Sequence, residues 1–278
     1  MMKFDKLLFG TAGIPSSTEP RNNSNGIKRV DELGLGGMEM AFVQSVYLTE
    51  ETAKEARAVA EENNVVLTSH GSFFINLNSK EKPKIYASIN RIVKAAKISS
   101  IAGAFSVTFH AGFYQGDSKE ATYSKIEEGL ATILSTLKEQ RINIRISPET
   151  TGKATQFGSL EELLQLSQEL PIAPCIDFSH LHARSGGDEN SYEEFRATLE
   201  KTEKALGSKS LKELHCHVAG INYSEKGERN HLMLKDSDMK YKELLKALKD
   251  LDCKGVVVCE SPDPQVDALL LKKTFDEL

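Results

Sequence analysis

The sequence predicts an α/β protein that folds as a single (β/α)8 TIM barrel, with residues 1–278 in one domain. Three observations favour this fold. Short apolar runs alternate eight times with longer amphipathic runs. The length of 278 residues is close to the roughly 250 residues that such a barrel needs. No Pro- or Gly-rich linker divides the chain, and no GxGxxG or P-loop motif supports the alternative, an open doubly wound sheet.

The predicted strands are short runs rich in Val, Ile, Leu or Phe. They cover 5–10, 37–42, 65–70, 104–110, 142–149, 172–177, 211–217 and 255–260. Helices are predicted over 51–64, 84–100 and 123–140, where apolar residues recur every three or four positions. Pro83 suits the first turn of a helix, and Ser159 with Glu162 has the spacing of a capping box.

The composition excludes several classes of protein. Apolar residues make up 40% and charged residues 27% of the chain, as in ordinary globular proteins. No apolar run approaches the ~18 residues of a membrane span, and the segment MMKFDKLLFG lacks the pattern of a secretory signal. We therefore expect a cytoplasmic protein without membrane contact.

The formal net charge is −5. A protein that binds nucleic acid by neutralising phosphates alone is usually basic, so this chain would need positive charge from bound cations. Three zinc ions would bring the formal charge to +1. A mildly acidic chain is therefore compatible with DNA binding when it is loaded with metal.

The four cysteines are spaced too widely for a CxxC pair, which argues against a cysteine zinc site. We expect Cys175, Cys216, Cys253 and Cys259 to be buried, reduced thiols.

Side chains that bind metals lie at or near the ends of successive predicted strands, where TIM barrels carry their active sites. They are His70, His110, Glu149, Asp177, His215 and Glu260, with His180 three residues beyond Asp177. A His, Asp and Glu set without cysteine suits zinc, with manganese or iron as alternatives. A single catalytic zinc takes about three protein ligands, so this larger set predicts two or three ions that share carboxylates.

Six segments of the chain together resemble the endonuclease IV family. They are TSHGSFFINL (68–77), VTFHAG (107–112), SPETTGKATQFGS (147–159), CIDFSH (175–180), LHCHV (214–218) and CESPDP (259–264). The resemblance covers nearly the whole chain. It implies a hydrolase of DNA repair with a (β/α)8 barrel and a trinuclear zinc centre, which cleaves double-stranded DNA on the 5′ side of an abasic site.

The resemblance also assigns roles to residues. His70 and His110 would hold the first metal, and Glu149 would bridge it to the second. Asp177, His215 and Glu260 would complete the second site, and His180 would belong to the third. Glu149 and Glu260 would be the catalytic carboxylates.

The segment GERNHLML (227–234) departs from the family pattern, in which an Asp-Arg-His run completes the third site. Glu228 replaces the Asp and Arg229 matches the Arg, but Asn230 stands in the place of the His. Because an amide is a poor replacement for imidazole, we predict that His231 is the third-metal ligand with His180 and Glu228.

Substrate contacts are predicted for Phe73, Arg229 and His217. Phe73 stands where the family has an aromatic hydroxyl. His217 should face the same way as His215, since side chains alternate along a strand, and it is either a substrate contact or a hydrogen-bonded strand histidine. The Arg-rich, Gln-Trp segment that the family uses against DNA is absent, and the chain has no Trp. We expect a monomer.

Two alternatives remain open. A xylose isomerase-like sugar isomerase or epimerase would need only one divalent metal on Glu149, Asp177, His215 and Glu260, with the two Glu moving protons at carbon. The additional histidines count against it. A DNA-binding module without catalysis is the other alternative, and cleavage of an abasic oligonucleotide distinguishes it.

Overall fold

The computed structural model describes residues 3–278. Eight parallel strands form one curled sheet: β1 (Leu7–Ala12), β2 (Gly37–Ala41), β3 (Val66–His70), β4 (Ser106–Phe109), β6 (Arg145–Pro148), β8 (Ile176–Asp177), β9 (Leu214–Val218) and β12 (Gly255–Cys259). Their spatial order is β6-β4-β3-β2-β1-β12-β9-β8. Two antiparallel pairs lie outside the sheet, β5 (Gly112–Phe113) with β7 (Gln156–Phe157) and β10 (Gly220–Ser224) with β11 (Gly227–Leu232).

The two edge strands of the sheet meet and close the barrel. A parallel bridge joins Glu149 to Cys175, and the amide of Cys175 donates to the carbonyl of Pro148 at 2.9 Å. Closure satisfies backbone groups that an open sheet would leave unpaired. The predicted fold class, a (β/α)8 barrel in a single domain, is confirmed, and the open doubly wound sheet is excluded.

Helices follow the strands and cover the outside of the barrel. They are α1 (Asn23–Glu32), α2 (Glu50–Glu62), α3 (Lys82–Ile101), α4 (Lys119–Glu139), α5 (Leu160–Glu169), α6 (Phe178–Arg184), α7 (Tyr192–Leu206), α8 (Lys209–Lys212), α9 (Tyr241–Asp250) and α10 (Pro264–Glu277), with a 3-10 turn at Leu234–Asp236. Pro83 lies in the first turn of α3, and Ser159 and Glu162 form the predicted capping box of α5. None of the helices within residues 3–278 is long and apolar enough to cross a membrane.

The strands near the fifth and sixth predicted positions are shorter than their apolar runs suggested, since β6 and β8 span four and two residues. The short helix α6 begins directly after β8, with Asp177 as its N-cap, and was not predicted. The β5–β7 and β10–β11 pairs were not predicted either, because their segments carry no alternating apolar pattern. These unpredicted elements surround the open end of the barrel.

Glycines allow the first two strands to pack closely. A Cβ atom on Gly10 would lie 2.4 Å from the carbonyl oxygen of Gly37, so any larger residue would push β1 away from β2. This close packing fixes the position of β2, which carries Glu39 into the barrel interior.

Candidate metal centre

The carboxyl-terminal ends of the strands bring most of the predicted side chains to one mouth of the barrel. A cavity of about 430 Å³ opens there, lined by His70, His110, His180, His231 and Glu260 among others. Glu149 lies beneath them with 1% of its surface exposed. The sequence placed these groups correctly at one end because parallel strands end at the same edge.

Glu149 lies at the centre of this group and faces four imidazoles. Its Oε2 atom lies 3.1 Å from Nε2 of His70 and 3.3 Å from Nε2 of His110. Its Oε1 atom lies 3.1 Å from Nδ1 of His217 and 3.3 Å from Nδ1 of His180. One carboxylate thus connects ligand-type side chains on both sides, as a bridging carboxylate must.

The charged groups at the mouth shift the pKa values of their neighbours in the direction opposite to the effect of burial. Burial alone would raise the pKa of Glu149, but the histidines around it, His217 and His110 foremost, hold that pKa well below its usual range. Burial alone would lower the pKa of His70, but Glu149 raises it to about 9. Glu149 and His70 therefore each favour the charged form of the other.

Main-chain carbonyls select which ring nitrogen of three histidines carries a proton. Nδ1 of His70 donates to the carbonyl of Gly71 at 2.8 Å, and Nδ1 of His180 donates to that of Thr150 at 3.0 Å. Nδ1 of His231 donates to the carbonyl of Glu260 at 2.9 Å. Because a carbonyl can only accept, each Nε2 is left as the nitrogen that can bind a metal.

His70, His110 and Glu149 form a first group of candidate ligands. A second group comprises Glu149, Asp177, His217 and Glu260, whose ligand atoms lie within 4.8 Å of one another. Nδ1 of His217 lies 3.5 Å from Oε1 of Glu260. Asp177 is fully buried, and its Oδ2 atom has no hydrogen-bond partner. Burial raises the pKa of Asp177, whereas His217 holds the pKa of Glu260 down at about 2 against the effect of burial.

The structure places His217, and not the predicted His215, among the carboxylates at the mouth. His215 does share the inward face with His217, as predicted, but it lies one layer deeper. Its Nδ1 atom is 2.9 Å from the hydroxyl of Ser106, and its Nε2 atom is 3.2 Å from Oε2 of Glu39. Counting back from the strand end would have favoured His217, which lies next to the last residue of β9.

Glu39, a buried carboxylate in β2 with 1% of its surface exposed, was not among the predicted site residues. The signal was present, since a lone Glu interrupts the apolar strand GMEMA. A carboxylate in such a position needs partners. Here they are His215, His217 and Thr68.

The third group forms where the β10–β11 pair meets α6. Nε2 of His231 lies 3.5 Å from Nε2 of His180, and Oε2 of Glu228 lies 3.6 Å from the same His180 atom. Asn230 instead faces away on the exposed side, where its Oδ1 accepts from Asn222.

A β-bulge explains how Glu228 and His231 both reach His180. The register of β10 and β11 shifts between Asn222 and Tyr223, which pair with Asn230 and Glu228 respectively, so Arg229 is the extra residue. The bulge restores to one face two residues that strict alternation would place on opposite faces. Gly152 makes room for this contact, because a Cβ atom there would lie 2.6 Å from Cβ of Glu228.

The predicted substrate contacts lie at different depths. Phe73 lines the cavity with 61% of its surface exposed, and its ring centroid is 5.7 Å from that of His70. Arg229 is exposed on the bulge. His217 is fully buried, so it lies too deep for a substrate contact and belongs with the carboxylates.

The donor set fits divalent metal ions. Ligand atoms on one tetrahedral zinc, about 2.0–2.1 Å from the ion, lie about 3.3–3.4 Å apart. The pairs that Glu149 makes with His70 and His110, and those that Nε2 of His180 makes with Glu228 and His231, span 3.1–3.6 Å. The groups His70–His110–Glu149 and Asp177–His180–His231 flank the second group and share its carboxylates. Oδ2 of Asp177 and Nε2 of His110 are buried without a hydrogen bond, although each lies 3.3 Å from an oppositely charged group, and such atoms suit coordination to an ion.

The four cysteines are buried and free of disulfides, as expected. Cys175 nevertheless lies nearer to the histidines than the sequence suggested, since its thiol groups with His215 and His217 within 4.8 Å. Its partners come from another strand, so spacing along the chain could not show this proximity.

Known proteins share both the barrel and parts of this sequence. The xylose isomerase-like TIM barrel family matches residues 27–276. The chain belongs to this family. An uncharacterized protein of Methanocaldococcus jannaschii is 45% identical over 272 residues, which cover 98% of each chain. A probable endonuclease 4 of Oceanobacillus iheyensis is 28% identical over 153 residues, which cover 52% of this chain and about half, 49%, of that protein.

Solved structures with a similar fold include proteins described as epimerases or epimerase-like and an endonuclease. A D-tagatose 3-epimerase-like protein superposes with a TM-score of 0.74 at 17% identity and 97% coverage of both chains. Endonuclease IV from Thermus thermophilus superposes with a TM-score of 0.70 at 15% identity, covering 98% of this chain and 100% of that one. At these identities the likeness shows the shared fold.

Proposed function

We propose that this protein is a metal-dependent endonuclease of the endonuclease IV type, which hydrolyses the phosphodiester on the 5′ side of an abasic site in double-stranded DNA. The relatives named probable endonuclease 4 support this proposal at the level of the family. The observation that carries it is the set of three linked ligand groups, joined through Glu149 and Asp177.

The number of histidines distinguishes a nuclease from an isomerase. A one-metal isomerase needs only the second group, Glu149, Asp177, His217 and Glu260. His70, His110, His180 and His231 would then have no purpose in the reaction, yet three of them have the Nδ1 proton fixed by carbonyls and Nε2 turned inward. Such preorganisation favours two or three ions, with zinc preferred and manganese or iron as alternatives.

Each group of ligands would hold one ion. His70 and His110 would hold one ion with Glu149, and Glu149 would extend to the second group. His180, His231 and Glu228 would hold the third. When bound, adjacent divalent ions supply an activated water and stabilise charge on the attacking and leaving oxygens of a phosphodiester.

Glu260 is the second catalytic carboxylate of the proposal. Its side chain is 14% exposed and lines the cavity, so it can contact both the metal group and a water in the cavity. Its pKa of about 2 keeps it ionised at neutral pH, ready to orient that water through a hydrogen bond.

The substrate would have to enter the barrel mouth. Because the ligand groups lie at the base of the cavity, a phosphodiester reaches them only if the damaged nucleotide leaves the helix, and an abasic nucleotide has no base pair to break. Phe73 at the rim would pack against the exposed neighbouring bases. Arg229 on the bulge would contact a phosphate.

The runner-up is a sugar epimerase. The observation in its favour is the superposition with a D-tagatose 3-epimerase-like protein, together with a second group that is sufficient for one metal. In that reaction Glu149 and Glu260 would exchange protons with a carbon atom of the sugar.

The test combines metal analysis with two substrates. Protein purified without added metal is analysed for metal per chain, then incubated with a duplex that contains one abasic site and with a matched undamaged duplex. We expect two or three ions and cleavage of only the abasic duplex, on its 5′ side. One ion per chain with epimerisation of a ketose and no cleavage would establish the runner-up instead.

A further inference from the structure

The ligand histidines differ in which group accepts the proton of the ring nitrogen that is not assigned to a metal. His70, His180 and His231 each donate that proton to a main-chain carbonyl. His217 instead directs its Nε2 atom at Glu39, with 3.3 Å to either carboxylate oxygen. A charged side chain from β2 therefore takes the place that the backbone has elsewhere.

The geometry of His217 leaves one protonation pattern compatible with metal binding. Its Nδ1 atom lies 3.1 Å from Glu149 and 3.5 Å from Glu260, so Nδ1 is the nitrogen on the metal side. A ligand nitrogen must be free of its proton, and a neutral imidazole then carries the proton on Nε2. Glu39 is an acceptor in that position and stabilises this tautomer.

The residues around Glu39 fix its carboxylate in a position to contact His217. The carboxylate is buried, and among residues 3–278 its ion-pair partners are the two histidines of β9, with no Lys or Arg. Thr68 donates to Oε2 at 3.0 Å. His215 approaches the same oxygen at 3.2 Å, and Ser106 holds the other nitrogen of His215 at 2.9 Å. His215 and Thr68 thus orient Glu39 from the layer below.

We propose that Glu39 is a positioning residue for the metal centre, which fixes His217 as an Nδ1 ligand by accepting the proton of its Nε2 atom. A carboxylate acceptor also makes the imidazole a stronger electron donor than a carbonyl does, so His217 would be the most basic of the histidine ligands. The inference rests on the metal centre of the proposed function. It holds equally for a nuclease and for an epimerase, because both need His217 on the metal.

The first measurement uses the wild-type protein. Long-range ¹H–¹⁵N correlation spectra of zinc-loaded protein, with His217 assigned through the loss of its signals in His217→Gln, report which ring nitrogen carries the proton. We expect Nε2–H and a metal-bound Nδ1. A proton on Nδ1, or a zinc-bound Nε2, would overturn the proposal whether or not the protein cleaves DNA.

The second measurement uses variants and a competing chelator. Glu39→Gln removes the charge and offers an amide, and we expect zinc binding at one site to weaken by about 10–100-fold, the usual effect of losing an outer-shell partner. Glu39→Asp keeps the carboxylate and should recover part of the loss. Ser99→Ala, the matched control, removes a buried hydrogen bond to Ser69 that involves neither Glu39 nor His217, and it should leave zinc affinity within about threefold.

The outcomes separate this inference from the proposed function. Equal zinc affinity in Glu39→Gln and wild type, with the fold confirmed by circular dichroism, would refute the role of Glu39. If Glu39→Gln does not fold, the tautomer in the wild-type protein decides. Zinc bound with the expected tautomer, but no cleavage of abasic DNA, would refute the endonuclease proposal and leave the role of Glu39 intact.

Discussion

His215 and His217 lie two residues apart on β9, face the same interior and are both buried, yet their surroundings differ. His217 lies among three carboxylates at the mouth and reaches Glu39 below. His215 contacts Ser106 and Glu39 one layer down and touches no carboxylate of the mouth among the ion pairs of residues 3–278. Depth along the barrel axis, rather than residue type, separates a candidate ligand from a supporting residue.

The two layers also differ in how their polar groups are satisfied. The lower layer pairs its groups with each other at 2.9–3.3 Å, through Thr68, Ser106 and Glu39, although Oε1 of Glu39 and Nε2 of His215 make no hydrogen bond. The mouth layer turns nitrogens and carboxylate oxygens toward one another at 3.1–3.6 Å, where a cation or a proton has to lie between them. The mouth layer can therefore hold cations, and Glu39 of the lower layer contacts it through His217.

The largest effect is expected for Glu149→Gln, which alters the centre of the mouth layer. Losing the charge that faces four imidazoles should lower cleavage of abasic DNA by several orders of magnitude and reduce the metal content, while the fold persists. Turnover is followed on a labelled duplex and metal by mass spectrometry. Normal turnover with a full complement of metal would contradict a bridging role.

The comparison within β9 is tested most directly by His217→Ala beside His215→Ala. The first should remove about one ion per chain and abolish activity, because about three protein ligands are needed for a catalytic ion. The second should keep its metal but lower the free energy of unfolding by about 1–3 kcal/mol, since Glu39 loses a buried partner. Metal analysis and urea titration measure both, and loss of an ion in His215→Ala alone would reverse the assignment.

A smaller loss of metal and of activity is expected for a substitution at the edge of the barrel mouth. His231→Ala should lower the metal count by about one and reduce cleavage, leaving the His70–His110–Glu149 group filled. Asn230→Ala is the matched control, since its side chain contacts Asn222 on the exposed face. A ratio of metal to protein that falls in the Asn230 variant and not in the His231 variant would show that the bulge is misplaced.

The smallest expected effect is a difference between the zinc-loaded and the zinc-free protein in how thermal stability changes with pH. In the metal-free protein the pKa of His70 is raised to about 9, above the ordinary value of about 6.5 in the unfolded chain. Its contribution is therefore complete below about pH 6.5 and is lost as the pH rises toward 9. Zinc needs the neutral imidazole, so the loaded protein should gain stability over the same range. Melting curves with zinc and with chelator that run parallel across this range would argue against His70 as a ligand.

The sequence was sufficient for the barrel and for most of its mouth, because strand ends can be located from apolar runs and parallel strands end together. His70, His110, Glu149 and Glu260 were placed in this way. The depth of a residue within its strand was harder to predict. The apolar run 211–217 extends back into α8, so the sequence does not show where β9 begins.

Glu39 was missed for a related reason. It lies in the middle of its strand, and its partners come from β3 and β9, far away in sequence. His231 was predicted as a ligand from the family resemblance and from the poor ligand chemistry of Asn230. The bulge that lets His231 reach His180 depends on the pairing between β10 and β11, which no local sequence pattern predicts.

The β10–β11 pair has a consequence for how this barrel can diversify. It contributes Glu228 and His231 but lies outside the eight-stranded sheet, and it contacts the rest of the protein through points such as the Glu228 amide on the carbonyl of Gly152. Within residues 3–278 its strands pair with each other and not with the barrel strands. Substitutions in this pair can therefore change the third candidate ligand group, while the strands that carry His70, Glu149 and His217 keep their own pairing.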